Sequence, residues 1–591
     1  MPLPVIMSAT LRVPARSGPC HPLSIGIVGA GPTAVYALDA LQRQGVPHRV
    51  TLLEAGGQPG QGIPFNARHN GAHLLANIAG YELPPVGETL NAWAMRQSRQ
   101  RQAALGLAGT AHDPRAFFPR MALGAYYADQ LGRLMTPGAG PCAATLHCHA
   151  EVQDILARPD GVGLAWTQRG RRHRADFDAV IVASGYGKPD AGARLAGATA
   201  RGAQGRRVAV LGSSLSAIDA AVELAVRHGH FHETGDGTLR YVLEQPFSAT
   251  FLSRHGLLPE ADFWVPETAP PLRHCPPEAL ARVVQGRPGD LDRAFALFAR
   301  ELGEADPGHA AAMSLDTCDA DSFAERHFAA RMAADPFAHA RANLAEARAS
   351  HAQRRASPWR HAILRLHEAF AMIVPKLADA DLARFTRGLK RVFVDNYAAV
   401  PHLSVARLLA LHEAGVLAVH RIDGRRIDGH RIDGQQGVER GPDGGWRIGG
   451  ETFDDVIDAR GQAPLGLEDF PFPTLRLHVC AQALAEEREW HEGLAPAQGH
   501  VLDPADPALA RVHVLSLPFL LHRHPFIQGL TESAAMARAC VAALMRRAEA
   551  APASRDDIQA SRDDIHAALA WLDRTDPIYQ GHDVLMIRSS A

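Results

Sequence analysis

Ser24-Ile-Gly-Ile-Val-Gly-Ala-Gly-Pro-Thr-Ala-Val-Tyr36 decides how this chain is read. A short apolar strand runs into Gly29-x-Gly31-x-x-Ala34, and a helical pattern follows. The first glycine permits a tight turn out of the strand, and the second lets the backbone approach a pyrophosphate. The small third residue lets helix pack on strand. The helix N-terminus, opened here by Pro32 and Thr33, presents free N–H groups and the positive end of a dipole to an anion. Glu54 closes the next apolar run, Val50–Glu54, about twenty residues beyond the turn. A carboxylate there can accept hydrogen bonds from ribose hydroxyls.

The pattern returns at Arg207-Val-Ala-Val-Leu-Gly-Ser-Ser-Leu-Ser-Ala-Ile-Asp219, with Gly212-x-Ser214-x-x-Ala217 at the turn. In both places the match follows a strand and opens a helix, the context that gives the motif its meaning. One such fold suggests a dehydrogenase. Two in one chain suggest electrons passing from a nicotinamide to a flavin. The expected class is therefore α/β, with two dinucleotide-binding, Rossmann-like domains.

Composition bounds the alternatives. With 591 residues, 46% hydrophobic and 21% charged, the chain reads as ordinary globular protein of roughly two to four domains. A net charge of −2 gives no electrostatic case for nucleic acid or an anionic membrane. Lys188, Lys376 and Lys390 are the only lysines, which disfavours Schiff-base chemistry and leaves arginine as the cation for phosphate or carboxylate. Seven cysteines are scattered without a Cys-x-x-Cys pair, so neither a disulfide framework, a zinc site nor a dithiol-dependent flavin reductase is expected. His69 and His73 have i, i+4 spacing, but in a loop containing Gly71 and Asn70, so no metal site is expected. No apolar run approaches about 18 residues and no signal peptide is recognised, so a cytoplasmic location is expected.

Along the chain, residues 1–21 read as a disordered lead. Residues 22–204 read as the first part of an FAD domain. Residues 205–465 read as an NADPH domain with a helical insertion at about 277–410. Residues 466–591 return to the FAD domain and end in helices. Leu146–Ile155 and Val162–Thr167 look like hairpin strands, and Phe177–Gly185 like a buried strand ending in a small-residue turn. Asp455–Gly461 repeats that turn where the chain would re-enter the FAD domain, and Gly529 precedes an alanine-rich helix. The short repeats at 420–434 and 554–567 are too few to build a solenoid and read as loop and surface duplications.

The motifs are more specific in order than singly. They are the first fingerprint, Gly62-Ile-Pro-Phe65, His73-Leu-Leu-Ala-Asn77, Phe117-Phe-Pro-Arg-Met-Ala-Leu-Gly-Ala-Tyr126, Ala183-Ser-Gly185, the second fingerprint and Leu252-Ser-Arg-His-Gly-Leu-Leu-Pro259. This set resembles the FAD/NAD(P)-binding family that contains nitrosuccinate-forming L-aspartate N-monooxygenases and FAD-dependent urate hydroxylases. Val392–Pro401 and Pro525–Leu530 resemble its aspartate-oxidising branch.

The resemblance implies that Gly29, Gly31, Pro32, Thr33 and Glu54 hold the FAD diphosphate and ribose, with Leu75, Asn77, Arg120, Gly185 and Gly529 along the rest of it. Gly212, Ser213, Ser214 and Ser216 would hold the nicotinamide cofactor's diphosphate, and Arg254 its 2′-phosphate, favouring NADPH. It further implies that NADPH reduces the flavin, that oxygen adds to it as a peroxyflavin, and that an amine attacks the distal oxygen. The expected product is nitroso or nitro, as nitrosuccinate is from aspartate. Hydroxylation of a purine such as urate is the alternative enzyme, and an electron-transfer or redox-sensing flavoprotein the alternative of another class. Such an amine oxidation needs a dry pocket, an unprotonated amine and a cation for the substrate's carboxylates. Arg523, Arg360 and Arg391 are the candidate cations, and His522 and His524 the candidate proton carriers. The small-molecule substrate and O2 are the expected partners, and the sequence leaves the oligomeric state open.

Overall fold

The computed structural model describes residues 22–185, 207–422, 439–440, 445–485 and 494–550, apart from 236, 449, 462, 463, 495, 498 and 528. The leader at 1–21, most of the repeat at 420–434 and the whole of that at 554–567 lie outside the described residues.

The first domain opens with β1 (Ser24–Val28), α1 (Pro32–Gln42) and β2 (Arg49–Glu54). A two-stranded element follows, β3 (Leu75–Ala79) with β4 (Phe117–Pro119), leading directly into α2 (Arg120–Leu134). β5 (Ala143–Cys148) then pairs in parallel with β2. This corrects the expectation of one strand across Leu146–Ile155. The chain breaks at His149, whose φ of 54° turns it out of the sheet. It restarts as β6 (Ala150–Arg158), which forms an antiparallel meander with β7 (Gly161–Gln168) and β8 (Arg171–Phe177). β9 (Ala179–Val182) closes this pass; all four of its residues are buried, as a central parallel strand requires.

The second domain has β10 (Arg207–Leu211), α3 (Leu215–His228), a hairpin of β11 (Gly229–Glu233) and β12 (Leu239–Leu243), and β13 (Ser248–Ser253). Helices then occupy most of 277–413. Those used below are α4 (Pro336–Gln353), α5 (Pro358–Ala371), α6 (Asp379–Arg387), α7 (Leu389–Tyr397) and α8 (His402–Glu413). Most of the helices share a core of their own, dominated by Phe295, Phe298, Phe323, Phe370, Phe385 and Phe393, while α4 and α8 pack into the second sheet's core through Phe337, Leu344, Val405 and Leu408. β14 (Leu417–Arg421) returns to the sheet. β15 (Glu439–Arg440), β16 (Trp446–Ile448) and β17 (Glu451–Phe453) form a small antiparallel element, and β18 (Asp455–Asp458) completes the domain.

The chain then re-enters the first domain through β19 (Val512–Val514) and α9 (Leu530–Ala550), so that domain is discontinuous. Its sheet has the order β19-β9-β1-β2-β5, and the second sheet β14-β13-β10-β18; both are parallel. In each, the fingerprint strand lies where the order reverses, the crevice at which open α/β sheets bind ligands. α1 is buried along most of its length because α9 covers its outer side. Among the described residues, no helix is long and apolar enough to cross a membrane.

Candidate functional site

The two turns are built alike. Gly29 has φ +96° and Gly212 φ +111°, a region that L side chains avoid. A Cβ on Gly29 would lie 2.5 Å from the Ala183 carbonyl oxygen, and one on Gly212 2.9 Å from that of Ala459. Each glycine N–H donates to the end of the neighbouring strand, Gly29 to Leu53 and Gly212 to Leu252, both at 2.8 Å. The fingerprint thus closes the same gap twice, between its own strand and the two beside it.

In the first cradle Gly31 is the N-cap of α1, with Pro32 in the first turn, no side-chain cap and no acidic residue in that turn. Thr33 follows in the same turn, so free amide groups face the crevice. Gly31 passes close to Gly62, where a Cβ would come within 3.4 Å of the backbone. Glu54 sits at the tip of β2. One carboxylate oxygen accepts from the Ala30 amide at 2.9 Å and the other from the Gly56 amide at 2.7 Å. Asn77 Oδ1 on β3 and Gln58 Oε1 in the glycine-rich loop are buried without partners. Gly185 takes φ +61° with open space around it, and Gly529 lies against the carboxylate of Glu532. A glycine-lined turn, an uncapped helix and orphaned acceptors fit a dinucleotide.

In the second cradle Ser214 begins α3 without capping it, Ser216 lies in the first turn, and the Ser213 hydroxyl donates to the Leu257 carbonyl at 2.6 Å. Arg254 is exposed just past β13. Its charge, with those of Arg391 and Arg421, depresses the already burial-lowered pKa of His255, and it also lowers that of Arg391. Like charges gathered at the tips of β13 and β14 favour an anion there.

Arg120, expected along the FAD, is engaged by the protein itself. It donates to the Leu75 carbonyl at 3.2 Å and pairs with Asp219 of α3 at 2.6 Å. Burial raises the Asp219 pKa, and Arg120 opposes that. One turn along α3, Glu223 accepts from His73 Nε2 at 2.7 Å and pairs with Arg227; the His73 bond is the main cause of its lowered pKa. Arg407 of α8 donates to the His73 carbonyl at 2.7 Å. These contacts join the two nucleotide domains side by side. His73 is therefore a joint, while His69 lies in the turn before it.

The arginines expected to meet substrate carboxylates are largely engaged. Arg360 pairs with the buried Glu260 and is packed against Phe263 at 4.1 Å and Trp359 at 4.3 Å. Burial lowers it to about 10, so it remains a cation at neutral pH. Glu260 also pairs with Arg331 at 3.3 Å, which itself holds Asp395 at 2.5 Å. Arg523 pairs with Asp379 of α6 at 2.7 Å, tying the returning segment to the helices. Arg391 packs over Phe328 at 5.2 Å and shares its field with Arg254. Three candidates thus fall in three different places.

His522 Nε2 is buried without a partner, and burial lowers the His524 pKa, with Arg523 adding to the effect. A cluster of aromatic and titratable side chains lies close by in the chain, around Phe526. Tyr397 stacks against His367 at 4.5 Å, with Phe526 of the returning segment 4.5 Å from His367. The Tyr397 hydroxyl and His367 Nε2 are both buried without partners. Burial drives His367 down to about 4 and raises Tyr397, with the Glu532 charge adding to the latter. Burial also raises Glu532, in the first turn of α9. Tyr397 and Phe526 fall within the Val392–Pro401 and Pro525–Leu530 stretches, but nothing in the local sequence shows that they meet His367 and Glu532, because the residues converge from α5, α7, α9 and the segment before it.

Residues 26–187 match a family model described as FAD-NAD(P)-binding, and residues 276–397 match the YdhS-like middle domain. The chain is 36% identical over 545 residues to the YdhS protein of Escherichia coli (strain K12), covering 90% of this chain and 98% of the relative. The chain belongs to the YdhS-like family. Its helical segment is that family's middle domain, inserted between β13 and β14, and its first domain is an FAD/NAD(P)-binding one. Similar solved structures include the ornithine N-hydroxylase KtzI of Kutzneria sp. 744 (14% identity, TM-score 0.45, 89% of this chain and 99% of that one). Another is the ornithine hydroxylase PvdA of Pseudomonas aeruginosa (13%, 0.42, 89% and 99%). A third is a mutant flavin monooxygenase of Stenotrophomonas maltophilia (15%, 0.39, 90% and 99%).

Proposed function

We propose that this YdhS-like protein is a flavin-dependent monooxygenase that takes reducing equivalents from NADPH and oxygenates a small molecule with O2. The observation that carries the reading is the duplicated cradle, Gly29 and Gly212, each at the switch point of its own parallel sheet within one joined body. One cradle with Glu54 at its strand tip suits FAD, and the other, with Arg254 there, suits NADPH. When bound, the flavin supplies the redox chemistry that no side chain can.

The protein's own part is placement and proton control. Asn77 Oδ1 and Gln58 Oε1 are left as acceptors for the cofactor. The aromatic packing of Phe393 and Phe526 keeps water from the Tyr397 hydroxyl and His367 Nε2. An imidazole held neutral to about pH 4, as His367 is, can hydrogen-bond an amine without protonating it. The finer reading is N-oxygenation of the amino group of aspartate or a similar acidic amine towards nitrosuccinate. It rests on the resemblance of Val392–Pro401 and Pro525–Leu530 to the aspartate-oxidising branch.

The test is aerobic assay of the purified protein with FAD and NADPH against amino acids and purines, with products identified by mass. Substrate-dependent NADPH oxidation with an oxygenated amine supports the reading. A hydroxylated purine replaces the substrate, and flavin reduction without any oxygenated product replaces the activity with electron transfer.

A further inference from the structure

A cavity of about 530 Å³ opens between the first domain and the middle domain, beside β3 and β4. Leu75, Arg115 and Pro119 line one side, and Arg348, His402 and Arg407 the other. Three arginines there face two aspartates, Asp113 and Asp262, and both aspartates are engaged. Asp262 accepts from His351 Nε2 at 3.1 Å, and Asp113 from the Arg115 backbone amide at 2.9 Å.

Arg407 is the distinctive group. One of its terminal nitrogens donates to the His73 carbonyl, and its Nε is buried without a partner. Burial pushes it down to about 10, and no carboxylate among the described residues pairs with it. A cation in that position calls for a counter-charge from the cavity it faces. Arg115 is held rigidly, over Tyr81 at 5.0 Å and Trp264 at 5.5 Å, and donates to the Val265 carbonyl at 3.1 Å. Arg348 is exposed on α4. α8 starts on the same wall without a side-chain cap, adding a positive dipole end.

We propose that this cavity binds the carboxylate of a small anionic molecule, with Arg407 as its central contact and Arg115 and Arg348 at its flanks. A planar guanidinium matches a carboxylate in two parallel hydrogen bonds, which a lone ammonium cannot do. The inference deepens the monooxygenase reading and rests on it only for the ligand's role as substrate. It moves the carboxylate from Arg523 and Arg360, which are paired within the protein, to an arginine that no acid among the described residues pairs with.

Calorimetric titration of the FAD-loaded protein with succinate and with L-aspartate tests it. Arg407→Gln should weaken both at least ten-fold and Arg348→Gln at least three-fold. Arg300→Gln, an exposed arginine on a helix outside the cavity, should change neither. Because Arg348 is exposed, its variant keeps the test valid even if Arg407→Gln folds poorly. Wild-type binding in both cavity variants overturns the proposal. So does a wild-type protein that binds neither carboxylate, that binds inorganic phosphate in their place, or whose bound succinate is displaced by NADP⁺. Protein that binds succinate but takes up no FAD keeps the site and sinks the monooxygenase reading.

Discussion

Alanine at Gly29 and at Gly212 should separate the two cofactors. At either position an L residue must adopt a positive φ, which costs about 1–2 kcal/mol. The new Cβ also meets a backbone carbonyl oxygen, at 2.5 Å for Gly29 and 2.9 Å for Gly212. Neither Ala183 nor Ala459 can retreat without breaking its backbone hydrogen bond, to Val28 and to Leu211 respectively, so the turn has to open and carry the helix N-terminus away from the diphosphate. The sum is on the order of 2–4 kcal/mol, or roughly 30- to 1000-fold in affinity. Gly29→Ala should purify with little flavin and show that loss in an FAD titration. Gly212→Ala should keep its flavin and demand far more NADPH to reduce it, read by anaerobic stopped-flow bleaching. A Gly29→Ala protein with a full complement of FAD, or equal NADPH dependence in Gly212→Ala and wild type, would refute the duplicated-cradle argument.

Arg254→Ala should raise the KM for NADPH about ten-fold, equivalent to about 1–2 kcal/mol from one exposed charge-assisted contact, and leave NADH unaffected; an equal change with both nucleotides counts against the 2′-phosphate assignment. Glu260→Ala strands the buried cation Arg360, takes from Arg331 one of its two carboxylates, and should cost about 3–5 kcal/mol, seen as a lower melting temperature and proteolysis within the middle domain. An unchanged melt would mean those arginines find other partners. His327, His367, His500 and His513 are each held near pKa 4 by burial, below the unfolded value of about 6.5. The unfolded chain therefore takes up protons first, so stability is full above about pH 6.5 and declines towards pH 4, by up to about 1.4 kcal/mol per pH unit for each histidine. Melting scans from pH 7.5 to 4.5 should show that slope, and His513→Gln should flatten it; a melting temperature independent of pH would contradict the burial account.

The cradles were legible because a glycine at a strand end reports on the backbone itself, and the backbone geometry needs no distant partner. Glu54 was legible for the same reason, since its place at the tip of β2 follows from counting along one βαβ unit. The arginines were not. Arg360 is neutralised by Glu260, Arg120 by Asp219 and Arg523 by Asp379, each about a hundred residues or more away in the chain, and local pattern carries no trace of such pairs. The strand break at His149 was hidden because the apolar alternation runs on through it, while the turn depends on one residue taking φ 54°. Tyr397, His367 and Glu532 meet only through packing of the middle domain on the returning segment, which periodicity cannot reveal.

The clasp formed by Arg120 with Asp219 and by His73 with Glu223 has a dynamic consequence. A hinge swing wide enough to bring a distant nicotinamide over the flavin would have to pull hydrogen-bonded partners out of a half-dry seam. If the clasp holds, the gap between the halves is expected to stay nearly constant through turnover. The pyridine ring must travel by threading and withdrawing, so substitutions that narrow that passage should slow reduction even when every cofactor contact is intact.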